Sequence, residues 1–191
     1  MEENVARLLR GWGFSVELIE EKFERKTPDL FVENNSESFL IEVKTRGKNA
    51  PFPTDVADEP YRTIKRRFKR SMDQLDECRK EADFKLTWFT VAALHCATKV
   101  VKQLLQVLYG LREEIVENKA LDKLPPDEFY FRRGLFQPGA DGAALLDAVI
   151  IQGDSRLFLC ENRQAENFAK FTKSKFHKFC RRNFTLIPSG L

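Results

Sequence analysis

TPDLFVENNSESFLIEVKT, residues 27–45, holds two runs of strand-forming residues around an Asn34-Asn35-Ser36 turn. Side chains alternate between the faces of a strand. Across residues 38–45, Phe39, Ile41 and Val43 therefore share one face, and Leu40, Glu42 and Lys44 share the other. If residues 29–33 pair antiparallel with this strand through the short turn, Asp29 lies across from its far end. Asp29, Glu42 and Lys44 then converge at one end of a sheet. The competing reading is three solvated charges on an edge strand.

Working outward, residues 2–11 space Val5, Leu8, Leu9 and Trp12 as a helix, closed by Gly11 and Gly13. Phe14, Val16 and Leu18 alternate with polar residues as a first strand, so three strands form a meander. A loop over 46–60, marked by Pro51, Pro53 and Pro60, has the length of a functional lid. A basic amphipathic helix spans 61–82, with Ile64, Phe68, Met72 and Leu75 on one stripe. A strand over 85–94, a helix over 99–116, a hairpin of 146–151 with 157–160, and a last helix over 164–182 complete the chain. The expected fold is α/β, a mixed central sheet flanked by helices. It is read as a single domain, with a core in 1–97 and an elaboration in 98–191 packed on it.

The composition suits a soluble globular protein, 42% apolar and 32% charged. No apolar run approaches the ~18 residues of a membrane span, and the acidic, amphipathic start is unlike a signal peptide. Cys78, Cys96, Cys160 and Cys180 are scattered without a CxxC, which argues against zinc and fits a reducing cytoplasm. The net charge is only +3, yet residues 61–70 carry six basic side chains and no acid (Arg62, Lys65, Arg66, Arg67, Lys69, Arg70). Residues 170–182 carry six more, among them Lys173, Lys175 and Lys178. Such clustering suits a polyanion partner; solvated helix faces are the plainer account. His95 and His177 read as a strand-end residue and a solvated basic-face residue.

Two carboxylates held close repel unless one is protonated or a cation lies between them. An oxygen-rich pair suits a hard divalent ion, Mg²⁺ or Mn²⁺, that shares its shell with water and a phosphate. A neighbouring lysine can then stabilise charge building up on phosphorus.

Pro28-Asp29, twelve residues, then Glu42-Val43-Lys44 resembles the signature of the PD-(D/E)xK nuclease superfamily. The resemblance covers residues 2–94 and implies a restriction-endonuclease-like core: helix, three-strand meander, helix, strand. It implies that Asp29, Glu42 and the Val43 carbonyl hold the metal and that Lys44 assists at the scissile phosphate. It also implies a glutamate on the first helix. Glu2, which shares a face with Val5, Ala6 and Leu9, is favoured over Glu3. Gln74 matches a glutamine found on the following helix of exonuclease-like members, although Cys78 stands where those carry tyrosine.

The function expected is metal-dependent hydrolysis of phosphodiester bonds in nucleic acid, DNA before RNA, with the basic helices on flanking phosphates. A catalytically silent nucleic-acid-binding module on the same fold is the alternative. A third reading is an interaction protein, a homodimer joined through its Phe-rich helices.

Overall fold

A computed structural model describes residues 2–20, 27–46, 58–78, 82–91, 97–110, 134–140, 143–153 and 156–187. The first helix, α1 (Glu2–Gly11), buries Val5, Ala6 and Leu9, the stripe its spacing dictates. It closes on Gly13, whose φ of +86° is left-handed backbone that glycine adopts without a Cβ penalty. The meander follows: β1 (Ser15–Leu18), β2 (Leu30–Asn34) and β3 (Glu37–Arg46), each antiparallel to the next.

Helix α2 (Asp58–Glu77) then leads to β4 (Phe84–Val91), which lies parallel to β3 with Glu42 opposite Thr87. After α3 (Ala97–Tyr109) and a 3-10 turn at Ala143–Leu145, β5 (Ala148–Gln152) pairs parallel with β4. It forms the expected hairpin with β6 (Leu157–Glu161). Two short helices, α4 (Phe168–Phe171) and α5 (Lys175–Asn183), precede β7 (Thr185–Ile187), which pairs parallel with β6. The result is one seven-stranded mixed sheet in the order β1 to β7, shared by both halves of the chain.

Each face of the sheet carries its own apolar layer. On one, α1, α4 and α5 pack Leu9, Phe171, Phe176 and Cys180 against Phe39, Ile41, Leu86, Trp88 and Ile150. On the other, α2 and α3 pack Ile64, Phe68, Leu75, Leu104 and Leu108 against Leu40, Val149 and Cys160. Each large apolar side chain so buried contributes roughly 1.5–3 kcal/mol relative to exposure. The alternation read for β3 is thus the seam between the layers.

Four expectations need correction. The helix expected over 99–116 ends at Tyr109, because Gly110 turns left-handed at φ +89° and caps it through its N–H to the Gln106 carbonyl. The helix expected over 61–82 instead runs Asp58–Glu77, with Pro60 in its first turn, where no intrahelical donor is needed. The single helix expected over 164–182 is broken in two. Ser174 caps α5 by accepting from the His177 N–H, and the Glu37 carboxylate accepts from the Lys175 N–H (2.5 Å) and the Phe176 N–H (3.1 Å). His177 is not solvated: it is buried against Phe171, and its Nε2 lies 2.5 Å from Glu161 Oε1.

Most of the 46–60 loop, the chain beyond Gly110 in the 99–116 segment, Cys96 and His95 fall outside the described residues. Among the described residues, no helix is long and apolar enough to cross a membrane.

Candidate functional site

Asp29 stands immediately before β2, where the Ile19 N–H donates to its carbonyl (2.9 Å) and so extends the β1–β2 ladder. Its Oδ2 accepts from the Val43 N–H at 2.5 Å, which pins the carboxylate against β3. Leu30 is paired with Ile41, so the register places Asp29 abreast of Glu42. Glu42 is fully buried, because strand alternation turns it into the α2-side layer while Ile41 and Val43 fill the other.

Lys44, two residues on and half-buried, shares that face, and its Nζ forms an ion pair with Glu42 Oε1. The same ammonium donates to Gln74 Oε1 at 3.3 Å. Gln74 Nε2 in turn donates to the Thr27 carbonyl at 3.1 Å, so α2 is tied to the chain entering β2.

The electrostatics follow from this packing. Burial, then the Asp29 charge beside it, pushes the Glu42 carboxyl up to about 7, against the opposing pull of Lys44. Burial also raises Asp29, only partly offset by the Val43 N–H. Glu42 Oε2 receives no hydrogen bond from a donor among the described residues, and the Glu42 and Asp29 carboxyls stand close enough to share a proton. An unpaired buried carboxylate oxygen of this kind normally costs about 1–3 kcal/mol or more.

Glu2 is half-buried at the start of α1. Its own backbone N–H holds its carboxyl below the usual value, and Lys44 contributes a smaller attraction. It also adds to the repulsion felt by Asp29. Glu3 instead points outward to an ion pair with Arg10 at 3.0 Å. Of the two first-helix acids, Glu2 is the one within electrostatic range of the site.

The structure therefore gathers Asp29, Glu42, Val43, Lys44 and Gln74 in direct contact, with Glu2 close by. It does not gather the basic residues into one surface. Lys65, Arg66, Arg67, Lys69 and Arg70 are exposed on α2; the Arg62 side chain lies outside the described residues. Lys175 and Lys178 are exposed on α5 and Lys173 on the link before it, and α5 packs on the opposite face of the sheet from α2. The two basic clusters thus flank different layers of the sheet. On α2, Arg67 and Arg70 precede Gln74 by seven and four residues and share its flank; Lys65 and Lys69 project from the other side of the buried stripe.

Two carboxylates, one with an unsatisfied buried oxygen, fit a hard divalent ion, whose remaining ligands are commonly water and substrate oxygens. Among the described residues, no group of three or more His, Cys, Asp or Glu side chains is gathered to hold a metal by itself. One polar neighbour escaped the sequence reading. Thr87 stands beside Glu42 on β4, and its hydroxyl is also without a partner among the described residues.

The chain matches no family model, no curated protein and no solved structure.

Proposed function

We propose that this protein is a divalent-metal-dependent nuclease that hydrolyses phosphodiester bonds in DNA, with a core of the PD-(D/E)xK kind. One observation carries the reading: a fully buried glutamate, abreast of Asp29 and paired through Oε1 with Lys44, keeps an Oε2 that no donor serves. Stability alone disfavours such a trio, and a cation accepting from both carboxylates removes the conflict.

Asp29, Glu42 and the Val43 carbonyl would hold the metal. Mg²⁺ or Mn²⁺ supplies, when bound, polarisation of a phosphoryl oxygen and a water of lowered pKa. Asp29 is held in place by the Val43 N–H, so the cost of orienting it is met on folding. Lys44 places an ammonium where charge accumulates on phosphorus, and Gln74 fixes its direction. Glu2 adds negative charge at the edge of the site and draws on Lys44. Arg67 and Arg70, on the flank of Gln74, would follow the backbone away from the cut without reading its sequence.

The silent-module reading keeps one observation in its favour: Lys44 already forms an ion pair with Glu42, as a structural trio would. The deciding experiment is a cleavage assay in Mg²⁺ or Mn²⁺ on duplex, single-stranded, flap and four-way DNA and on RNA, alongside Glu42→Gln. The nuclease reading expects metal-dependent cleavage of at least one DNA substrate that Glu42→Gln lacks. Binding without cleavage across the panel establishes the silent module.

A further inference from the structure

Three of the four buried side-chain polar atoms left without a partner among the described residues lie at or beside the candidate site: Thr27 Oγ1, Glu42 Oε2 and Thr87 Oγ1. Native interiors rarely tolerate such atoms, and a bound water or ion is the usual explanation.

The sheet register shows why Thr87 belongs with the other two. Glu42 is paired with Thr87 across the parallel β3–β4 ladder, Thr87 with Val149, Val149 with Cys160, and Cys160 with Ile187. Asp29 is abreast of Glu42 on the other side. One row of side chains on one sheet face therefore reads Asp29, Glu42, Thr87, Val149, Cys160, Ile187. Its polar members are contiguous and end at the site; the rest are apolar. Leu86 and Trp88 fill the opposite layer, which confirms that the Thr87 hydroxyl is on the Glu42 side.

Thr87 is fully buried, so bulk water cannot serve its hydroxyl. It does not hydrogen-bond to Glu42 directly, since both oxygens remain unpaired. Two unpaired oxygens on adjacent paired residues share the space above their strands, and a third polar species between them satisfies both.

We infer that Thr87 is a positioning residue of this site: its hydroxyl and Glu42 Oε2 hold one fixed water, which belongs to the shell of the divalent ion. The inference rests on the metal-dependent reading above and adds to it a residue outside the Asp29, Glu42, Lys44 signature. The Thr87 hydroxyl accepts one hydrogen of the water, whose other hydrogen goes to Glu42 Oε2, so the Glu42 carboxylate would be held in one orientation for the metal. Such outer partners commonly govern affinity by about 10–100-fold.

The test is Mn²⁺ uptake measured by titration calorimetry on wild type, Thr87→Val, Thr87→Ser and Glu42→Gln, with thermal midpoints recorded in parallel. Thr87→Val keeps the β-branched shape and removes the orphaned hydroxyl, so the metal-free fold is expected to be equally or more stable. Mn²⁺ affinity should nevertheless fall by about tenfold or more, and Thr87→Ser should restore it. Thr87→Ala serves in the same comparison should the valine variant not fold. Wild-type affinity in Thr87→Val overturns this inference alone. A wild type with no Glu42-dependent uptake overturns the metal reading and this inference with it.

Discussion

Asp29 and Asp147 do the same local job in two different places. Each stands immediately before a strand, β2 and β5, and each accepts a backbone N–H of the neighbouring strand at 2.5 Å, from Val43 and from Lys85. Both are raised by burial, Asp147 to about 7. The surroundings differ. Beside Asp147, Asn162 donates to the Leu146 carbonyl at 2.6 Å and accepts from the Gln164 N–H at 3.0 Å, and Glu161 is engaged by His177. There the polar groups consume one another; of the four buried side-chain atoms without a partner among the described residues, only the ring Nδ1 of His177 lies on that side. Beside Asp29, a second carboxylate is left with an oxygen to spare. A buried aspartate that ties two strands together is therefore architecture; the Glu42 oxygen next to one, which no donor serves, is what the proposed chemistry rests on.

The sharpest way to break this contrast is to neutralise one carboxylate in each place. Glu42→Gln or Asp29→Ala is expected to abolish metal-dependent cleavage, with the fold retained by circular dichroism. Asp147→Ala should lower stability by about 1–3 kcal/mol and leave turnover of the folded protein intact. Equal losses of activity from both sites would remove the distinction.

Lys44→Ala should reduce turnover by about 10²-fold while Mn²⁺ uptake persists, which single-turnover kinetics and calorimetry separate.

Both regions should leave a mark on the pH dependence of the metal-free protein. Glu42 and Asp147 rise to about 7 from ordinary values of 4.5 and 3.8. Between about pH 4 and 7 the folded chain keeps protons that the unfolded chain has released, so stability falls as pH rises through that window. The slope is at most about 1.4 kcal/mol per pH unit for each group. Thermal midpoints across this range should flatten partly in Glu42→Gln and partly in Asp147→Asn. Mg²⁺ favours the ionised carboxylate and should cancel only the Glu42 share.

Gln74→Ala loosens Lys44 without removing it and should cost about tenfold in kcat with KM little changed. The smallest effect concerns the basic flank. Arg67→Ala and Arg70→Ala should each lower the salt slope of DNA binding by about one, whereas Lys178→Ala, on the far face, should leave it unchanged; anisotropy titrations at several salt concentrations read this out.

Much of the meander was legible in residues 2–45, because helical spacing in α1 and strict alternation in β3 are local signals. The convergence of Asp29, Glu42 and Lys44 followed from the same alternation plus one tight turn. What stayed hidden depends on partners distant in sequence. Ser174 looks like a tolerable serine in a long helix until Glu37, brought over from β3, caps the helix that starts there. His177 sits among lysines in sequence and faces Glu161 in space. Thr87 reads as ordinary strand filler until the parallel register sets it against Glu42. The end of α3 at Gly110 is signalled locally, by a glycine after a periodic run, while Ile115 beyond it keeps the helical spacing in the sequence.

Trp88 follows Thr87 directly and points into the opposite layer, where its ring centroid lies 6.2 Å from that of Trp12, at the end of α1. These are the only two tryptophans in the chain. Intrinsic fluorescence is thus a built-in optical gauge: excitation at the indole band samples the joint between α1 and the sheet, one residue away from the row that holds Glu42.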